Sequence, residues 1–251
     1  MVPYRATRRA VVLGAASSLA AHASEPTLSF RVLRNDSQIG THVLTFAVEA
    51  GTTGGGIRGA STGKADAAEA GSQEAGSQEV GTRKTGIGET GLRTIRVATD
   101  IRVGLGPITF YRYTHRAEER WRDGVFVGLD AETNDDGTIG RTMIRREGTS
   151  LIAEGREAPR YQPPPEALPM THWDRKAIYG PLISTQSGRL LRPWVTRLGP
   201  SSVTTARGEI QADRFSLRGD PDLDTWYERD GTWAGLQLTA RDGSTIRYQR
   251  D

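Results

Sequence analysis

The sequence predicts an all-β protein: an antiparallel meander forming a curved sheet, a sandwich or a lipocalin-like barrel, with one short helix and a long disordered insertion. Three observations predict it. Apolar and polar residues alternate with a period of two, as in "TLSFRVLR" (27–34), where Leu28, Phe30 and Val32 share one face. The alternating runs are short and end in turn signals, "NDDG" at 134–137 and "RDG" at 122–124, 229–231 and 241–243. Only "HWDRKAIY" (172–179) reads as a helix, with Thr171 placed to cap it.

The first 23 residues, "MVPYRATRRAVVLGAASSLAAHA", join a basic start, an apolar run from Ala10 to Ala21 and a small-x-small end. This is the pattern of a signal peptide cleaved after Ala23, and the paired Arg8 and Arg9 point to twin-arginine export. The expected product is periplasmic or secreted. The apolar run is too short to span a bilayer, and no later segment reaches that length. The leader holds Arg5, Arg8 and Arg9 and no acid, so its removal takes away the whole formal charge of +3. A mature chain of no net charge gives no reason to expect a nucleic-acid partner. The absence of Cys excludes disulfides and thiol catalysis.

Residues 24–251 read as a single β domain. "IGTHVLTFAV" (39–48) sets His42, Leu44, Phe46 and Val48 on one face. Residues 50–90 interrupt the domain with a Gly-rich stretch and a tandem "AGSQEAGSQEVG" (70–81), too poor in large apolar side chains to offset the entropy of ordering it. It is expected to be a disordered surface-loop expansion. "LRTIRVATDIRV" (92–103) resumes the strands. "ITFYRYTHRAEERW" (108–121) follows, with Tyr111, Tyr113, His115 and Glu119 on one face, and "VFVGLDAET" (125–133) is expected to turn Val125, Val127, Leu129 and Ala131 inward. "IGRTMIRR" (139–146) and "SLIAEG" (150–155) are two more strands. "REAPRYQPPPEALPMT" (156–171) is a proline-rich crossing loop. "RLLRPWVTRL" (189–198) and "GEIQADRFSLRG" (208–219) lead into a final meander from 223 to 250.

The chemistry-bearing residues resolve into few candidates. "GDPDLDTWYERDGTW" (219–233) packs Asp220, Asp222, Asp224 and Glu228 close together. A calcium loop starting at Asp220 needs Gly sixth and Glu twelfth, where the chain has Thr225 and Gly231, so the run reads as a solvated strand face. Trp226 shares that face and is expected to pack against Trp233 across the hairpin, the alternative being that both indoles stand exposed as a ligand platform. "HRAEE" (115–119) lacks the closing His and the helix of an inverted zinc-protease motif. His42, His115 and His172 show no ligand spacing, so no metal is expected. There is no G-x-S-x-G elbow and no Walker A sequence, and "TGIGETG" (85–91) lies at the end of the insertion. No catalytic residue and no cofactor is expected.

From "SFRVLRNDSQIGTH" (29–42) onward the chain resembles DUF6134, a bacterial family of uncharacterised exported proteins. The pieces that carry the resemblance include "FYRYTHRAEERW" (110–121), "LDAETNDDG" (129–137), "THWD" (171–174), "LISTQSGRLL" (182–191) and "LRGDPDLDTWYERDGTWAGL" (217–236). The family often has Asn where this chain has Asp174. The resemblance implies a β-rich exported domain, with no assigned activity and no catalytic residues. The expected function is therefore a non-catalytic binding or carrier module for a small or apolar ligand. Its candidate contacts are Tyr111, Tyr113, His115, Glu119, Trp121 and Trp226. An envelope scaffold with a filled core is the alternative, and an enzyme using scattered His and carboxylates is the weakest. A cavity above roughly 300 Å³ favours binding over scaffolding.

Overall fold

Alternating segments joined by tight turns pair each strand with the next, and the chain builds one long antiparallel sheet. The computed structural model describes residues 25–49, 91–105 and 108–251. The leader and the 50–90 insertion lie outside the described residues. The first strands are β1 (Thr27–Arg34), β2 (Ser37–Glu49), β3 (Leu92–Leu105), β4 (Ile108–Arg122), β5 (Val125–Asp135), β6 (Thr138–Glu147), β7 (Ser150–Gly155) and β8 (Ala158–Tyr161). Three two-residue strands follow: β9 (Leu168–Pro169), β10 (Leu182–Ile183) and β11 (Leu190–Leu191). The chain ends with β12 (Trp194–Thr205), β13 (Gly208–Arg218), β14 (Leu223–Tyr227), β15 (Trp233–Thr239) and β16 (Thr245–Arg250).

Thirteen strands form the main sheet, in the order β12-β13-β14-β15-β16-β1-β2-β3-β4-β5-β6-β7-β8. The sheet curves but stays unclosed, with β8 and β12 as its edges. The chain between those edges, residues 162–193, fills the opening as a plug, and β9 to β11 form its own small sheet. Ala167, Ile178 and Ile183 of the plug pack in one core with Phe30, Leu44, Ile95 and Leu129. The curved sheet expected from the sequence is present, and its interior is filled by the protein's own chain.

The plug seats on β7 backbone to backbone. A Cβ on Gly155 would lie 2.5 Å from the Ser187 oxygen, and one on Gly188 would lie 2.7 Å from Gly155 Cα, so only glycine fits either side. Tyr161 Oη donates to the Gly188 oxygen at 2.8 Å beside this crossing.

Four local expectations are corrected. The short helix is a single 3₁₀ turn, Arg175–Tyr179, and its cap is Asp174, which accepts from Lys176 N at 2.9 Å. Thr171 cannot cap it because His172, with φ of 67°, turns the chain in between. In β5 a bulge at Val127 switches the inward parity, since Trp121 pairs with Phe126 while Arg120 pairs with Gly128. Phe126 is buried and Val125 is exposed as a result. A second bulge, at Ala234, pairs Trp226 with Gly235 and Tyr227 with Trp233. The two indoles therefore sit on opposite faces, and Trp233 alone enters the core. The crossing loop itself contributes β8 and β9.

Candidate functional site

The inner face of β4 carries Tyr111, Tyr113, His115, Glu119 and Trp121 in one row, as their alternation requires. The structure keeps these five together and divides them by environment. Tyr111 Oη donates to Asp135 Oδ1 at 2.8 Å. His115 is buried, with Nδ1 2.8 Å from Thr133 Oγ1 and Nε2 3.1 Å from Thr185 Oγ1 of the plug. His42 Nδ1 lies 2.8 Å from Thr99 Oγ1, and its Nε2 has no partner among the described residues. The His172 ring stacks on Trp233 at 5.4 Å. The three histidines thus share one interior, which their sequence spacing did not announce. Burial pushes His42 down to about 3, helped by the two neighbouring histidines, and pushes His115 and His172 down to about 4. All three are neutral at neutral pH. Among the described residues no three His, Asp or Glu side chains are grouped as a metal site requires.

At the other end of the row lies a tighter arrangement. Glu119 is fully buried, and its Oε2 accepts from the indole Nε1 of Trp121 at 3.0 Å and of Trp173 at 3.0 Å. The sequence points to Trp121 among the candidate contacts but not to Trp173, which comes from the plug. The left-handed turn at His172 delivers it, and that turn leaves no hydrophobic periodicity to read. The two indoles meet edge to face, 5.4 Å apart at 79°. Burial raises the Glu119 carboxyl above its ordinary value, against the pull of the nearby Thr171 hydroxyl and the two indole donors. One carboxyl group thereby fixes the orientation of two aromatic rings from below.

Those rings line an open cavity of about 440 Å³. Phe126 and Leu168 extend its apolar wall, and Arg93, Arg146, Lys176, Glu166 and Asp174 supply its charges. Arg93 lies over the Trp173 ring at 4.8 Å. Arg146 ties the wall together by donating to the Phe126 oxygen at 2.6 Å and the Pro165 oxygen at 2.9 Å. A hollow of about 620 Å³ lies on the outer face of β3 to β6, but it is a shallow saddle. Its charges pair with each other, Arg96 with Glu118 at 3.3 Å and Arg141 with Glu132 at 3.0 Å, as on a solvated face. The smaller cavity is the better site because a buried polar group organises its walls.

Trp226 stands apart from the β4 row, on the outer face of β14. Its Nε1 donates to Ser201 Oγ at 2.9 Å, and Arg214 covers its ring at 5.4 Å. The acidic run around it is matched by arginines. Asp220 pairs with Arg189 at 2.6 Å, Asp222 with Arg218 at 3.3 Å, Asp224 with Arg214 and Arg218, and Glu228 with Arg250 at 2.5 Å. Each carboxylate already has its cation.

No curated protein matches the chain. Among solved structures it is similar to a β-barrel-like protein of domain of unknown function DUF1849 from Brucella abortus. That likeness has a TM-score of 0.52 at 11% identity and covers 91% of this chain and 96% of that one, which supports the fold alone. The family model described as domain of unknown function (DUF6134) matches residues 73–251, so β3 to β16 and the whole plug fall within the match while β1 and β2 precede it. With most of its length so matched, the chain belongs to the DUF6134 family.

Proposed function

We propose that this protein is an exported binding module that holds a small ligand with a flat apolar face in the Trp121–Trp173 cavity. One observation carries the reading: a fully buried carboxyl group holds two indoles side by side at an open cavity. Burying an ionisable group is costly, and two donors directed at one oxygen fix a shape that plain core packing does not need. The cavity exceeds the roughly 300 Å³ that small-ligand sites require. The plug occupies the interior that a long apolar tail would need, which favours a compact ligand over a lipid. The filled interior also supports the envelope-scaffold reading, but a scaffold gives no reason for an open aromatic cavity at its surface.

The chain has five Trp residues, so its indole N–H signals form a small and assignable set in a ¹H–¹⁵N spectrum. Titration with 2-naphthoate should shift the Trp121 and Trp173 signals and leave those of Trp226 and Trp233 in place. Trp173→Ala should weaken binding at least tenfold, or about 1.4 kcal/mol. The absence of any saturable shift at Trp121 and Trp173 overturns the reading.

A further inference from the structure

The cavity is one half of a longer trough. Glu166 lines it and also lines a second depression of about 450 Å³ on the surface of the plug. The 3₁₀ turn lies between the two, with Lys176 on the first and Ile178 and Tyr179 on the second. Trp194 closes the far side at 80% exposure, facing a Tyr179 that is 64% exposed. Two large aromatics left open together in a depression rimmed by charged residues mark a contact surface. Both are held by the fold. Phe215 meets the Tyr179 ring edge-on at 6.0 Å, and Trp194 is the first residue of β12, paired with Arg218. Three charged side chains along the trough, Glu166, Lys176 and Arg192, are uncommitted. No hydrogen bond or ion pair among the described residues engages the side chains of Glu166, Lys176 or Arg192.

Building on the binding reading above, we infer that the ligand is a glycan. One sugar ring of a linear oligosaccharide stacks in the Trp121–Trp173 cavity, and the following rings pass Glu166 to reach Tyr179 and Trp194. A pyranose has an apolar C–H face and a rim of hydroxyls. The face stacks on an aromatic ring. The hydroxyls both donate and accept, so they need neighbours of both kinds, outside the reach of bulk solvent on one side only. The trough supplies both kinds: Glu166 accepts, while Lys176 and Arg192 donate. An acyl chain would strip these three charges of water without offering them a partner, and a single flat heteroaromatic would not reach Trp194.

The same five indole signals test this with cellohexaose, maltohexaose and chitohexaose, and with glucose and N-acetylglucosamine as the single units. At least one hexasaccharide should shift Trp121, Trp173 and Trp194 together, while its single unit shifts only the first two. Trp194→Ala should weaken that hexasaccharide about tenfold and leave both the melting temperature and 2-naphthoate binding unchanged. Arg192 lies outside the first cavity, so Arg192→Gln should weaken the hexasaccharide without affecting 2-naphthoate. If 2-naphthoate binds and no hexasaccharide does, the glycan assignment fails and the cavity reading survives. If neither binds, both fail. A shift of Trp194 alone by decaproline overturns the glycan in favour of a proline-rich peptide on this surface.

Discussion

Replacing Glu119 separates its role as an acceptor from its role as a charge. Glu119→Ala leaves the Trp121 and Trp173 indole N–H groups without the acceptor they share. An unsatisfied buried donor costs about 1–3 kcal/mol, so two of them cost about 4 kcal/mol together. Glu119→Gln keeps a carbonyl oxygen for both indoles and is isosteric with the protonated acid. Burial raises the carboxyl in the folded state above its ordinary value of 4.5. The folded chain therefore holds this proton more tightly than the unfolded chain does. Below the ordinary value both states are protonated and the group is neutral in the balance. As pH rises from there through the raised folded value, the wild type loses stability that the amide variant keeps. Urea unfolding from acid to mildly alkaline pH should show Glu119→Gln matching the wild type in acid and exceeding it increasingly as pH rises past the ordinary carboxylate value. Glu119→Ala should be the weakest throughout. A loss under about 1 kcal/mol for the alanine variant, or equal losses for both variants, would refute the shared-acceptor reasoning.

The buried histidines give an opposite pH dependence. His42 at about 3, and His115 and His172 at about 4, lie below the ordinary 6.5, so the stability tied to their neutral forms is complete above 6.5 and is lost as pH falls towards those values. Each should cost about 2 kcal/mol by about pH 5, and His42→Gln should remove about a third of that slope in urea unfolding; a flat profile from neutral to acid pH sinks this prediction. Trp233 is buried against Phe30 at 4.2 Å and donates to Thr225 and the Gly235 oxygen, so Trp233→Ala should cost about 4 kcal/mol, while half-buried Trp226→Ala should cost about 1–2. Equal losses for the two would mean that the Ala234 bulge does not divide the faces as described.

Strand parity made much of this legible. Tyr111, Tyr113, His115, Glu119 and Trp121 fall on one inner face because nothing interrupts the alternation of β4 over them. The parity argument fails where one extra residue enters a strand, and a bulge carries no fixed sequence signal. Val127 and Ala234 are such residues, and they misplaced Val125 and the Trp226–Trp233 pair. The acidic run at 220–228 lacks the Gly and Glu of a calcium loop in its sequence, at Thr225 and Gly231. Its arginine partners are invisible in the sequence because Arg189 comes from the plug and Arg214 and Arg250 from other strands. Trp173, His172 and the plug could not be read at all. Their placement depends on a left-handed turn and on two glycines, Gly155 and Gly188, that meet across 33 residues of chain.

The plug joins the stability of this fold to its chemistry. Residues 162–193 bridge the two sheet edges, and Ala167, Ile178 and Ile183 complete the core. The same segment supplies Trp173, Glu166 and Lys176 to the cavity and Tyr179 to the outer depression. Its inner residues answer to packing and cannot change without loosening the closure of the sheet. Its outer residues Glu166 and Lys176 answer to solvent, and with Trp194 they can change without touching the core. Recognition that relies on the inner indoles is therefore tied to folding, whereas recognition along the Glu166–Trp194 half is free to vary. Ligand selectivity should be adjustable on that outer half, where substitutions cost least in stability, while the Glu119-anchored indoles stay as they are.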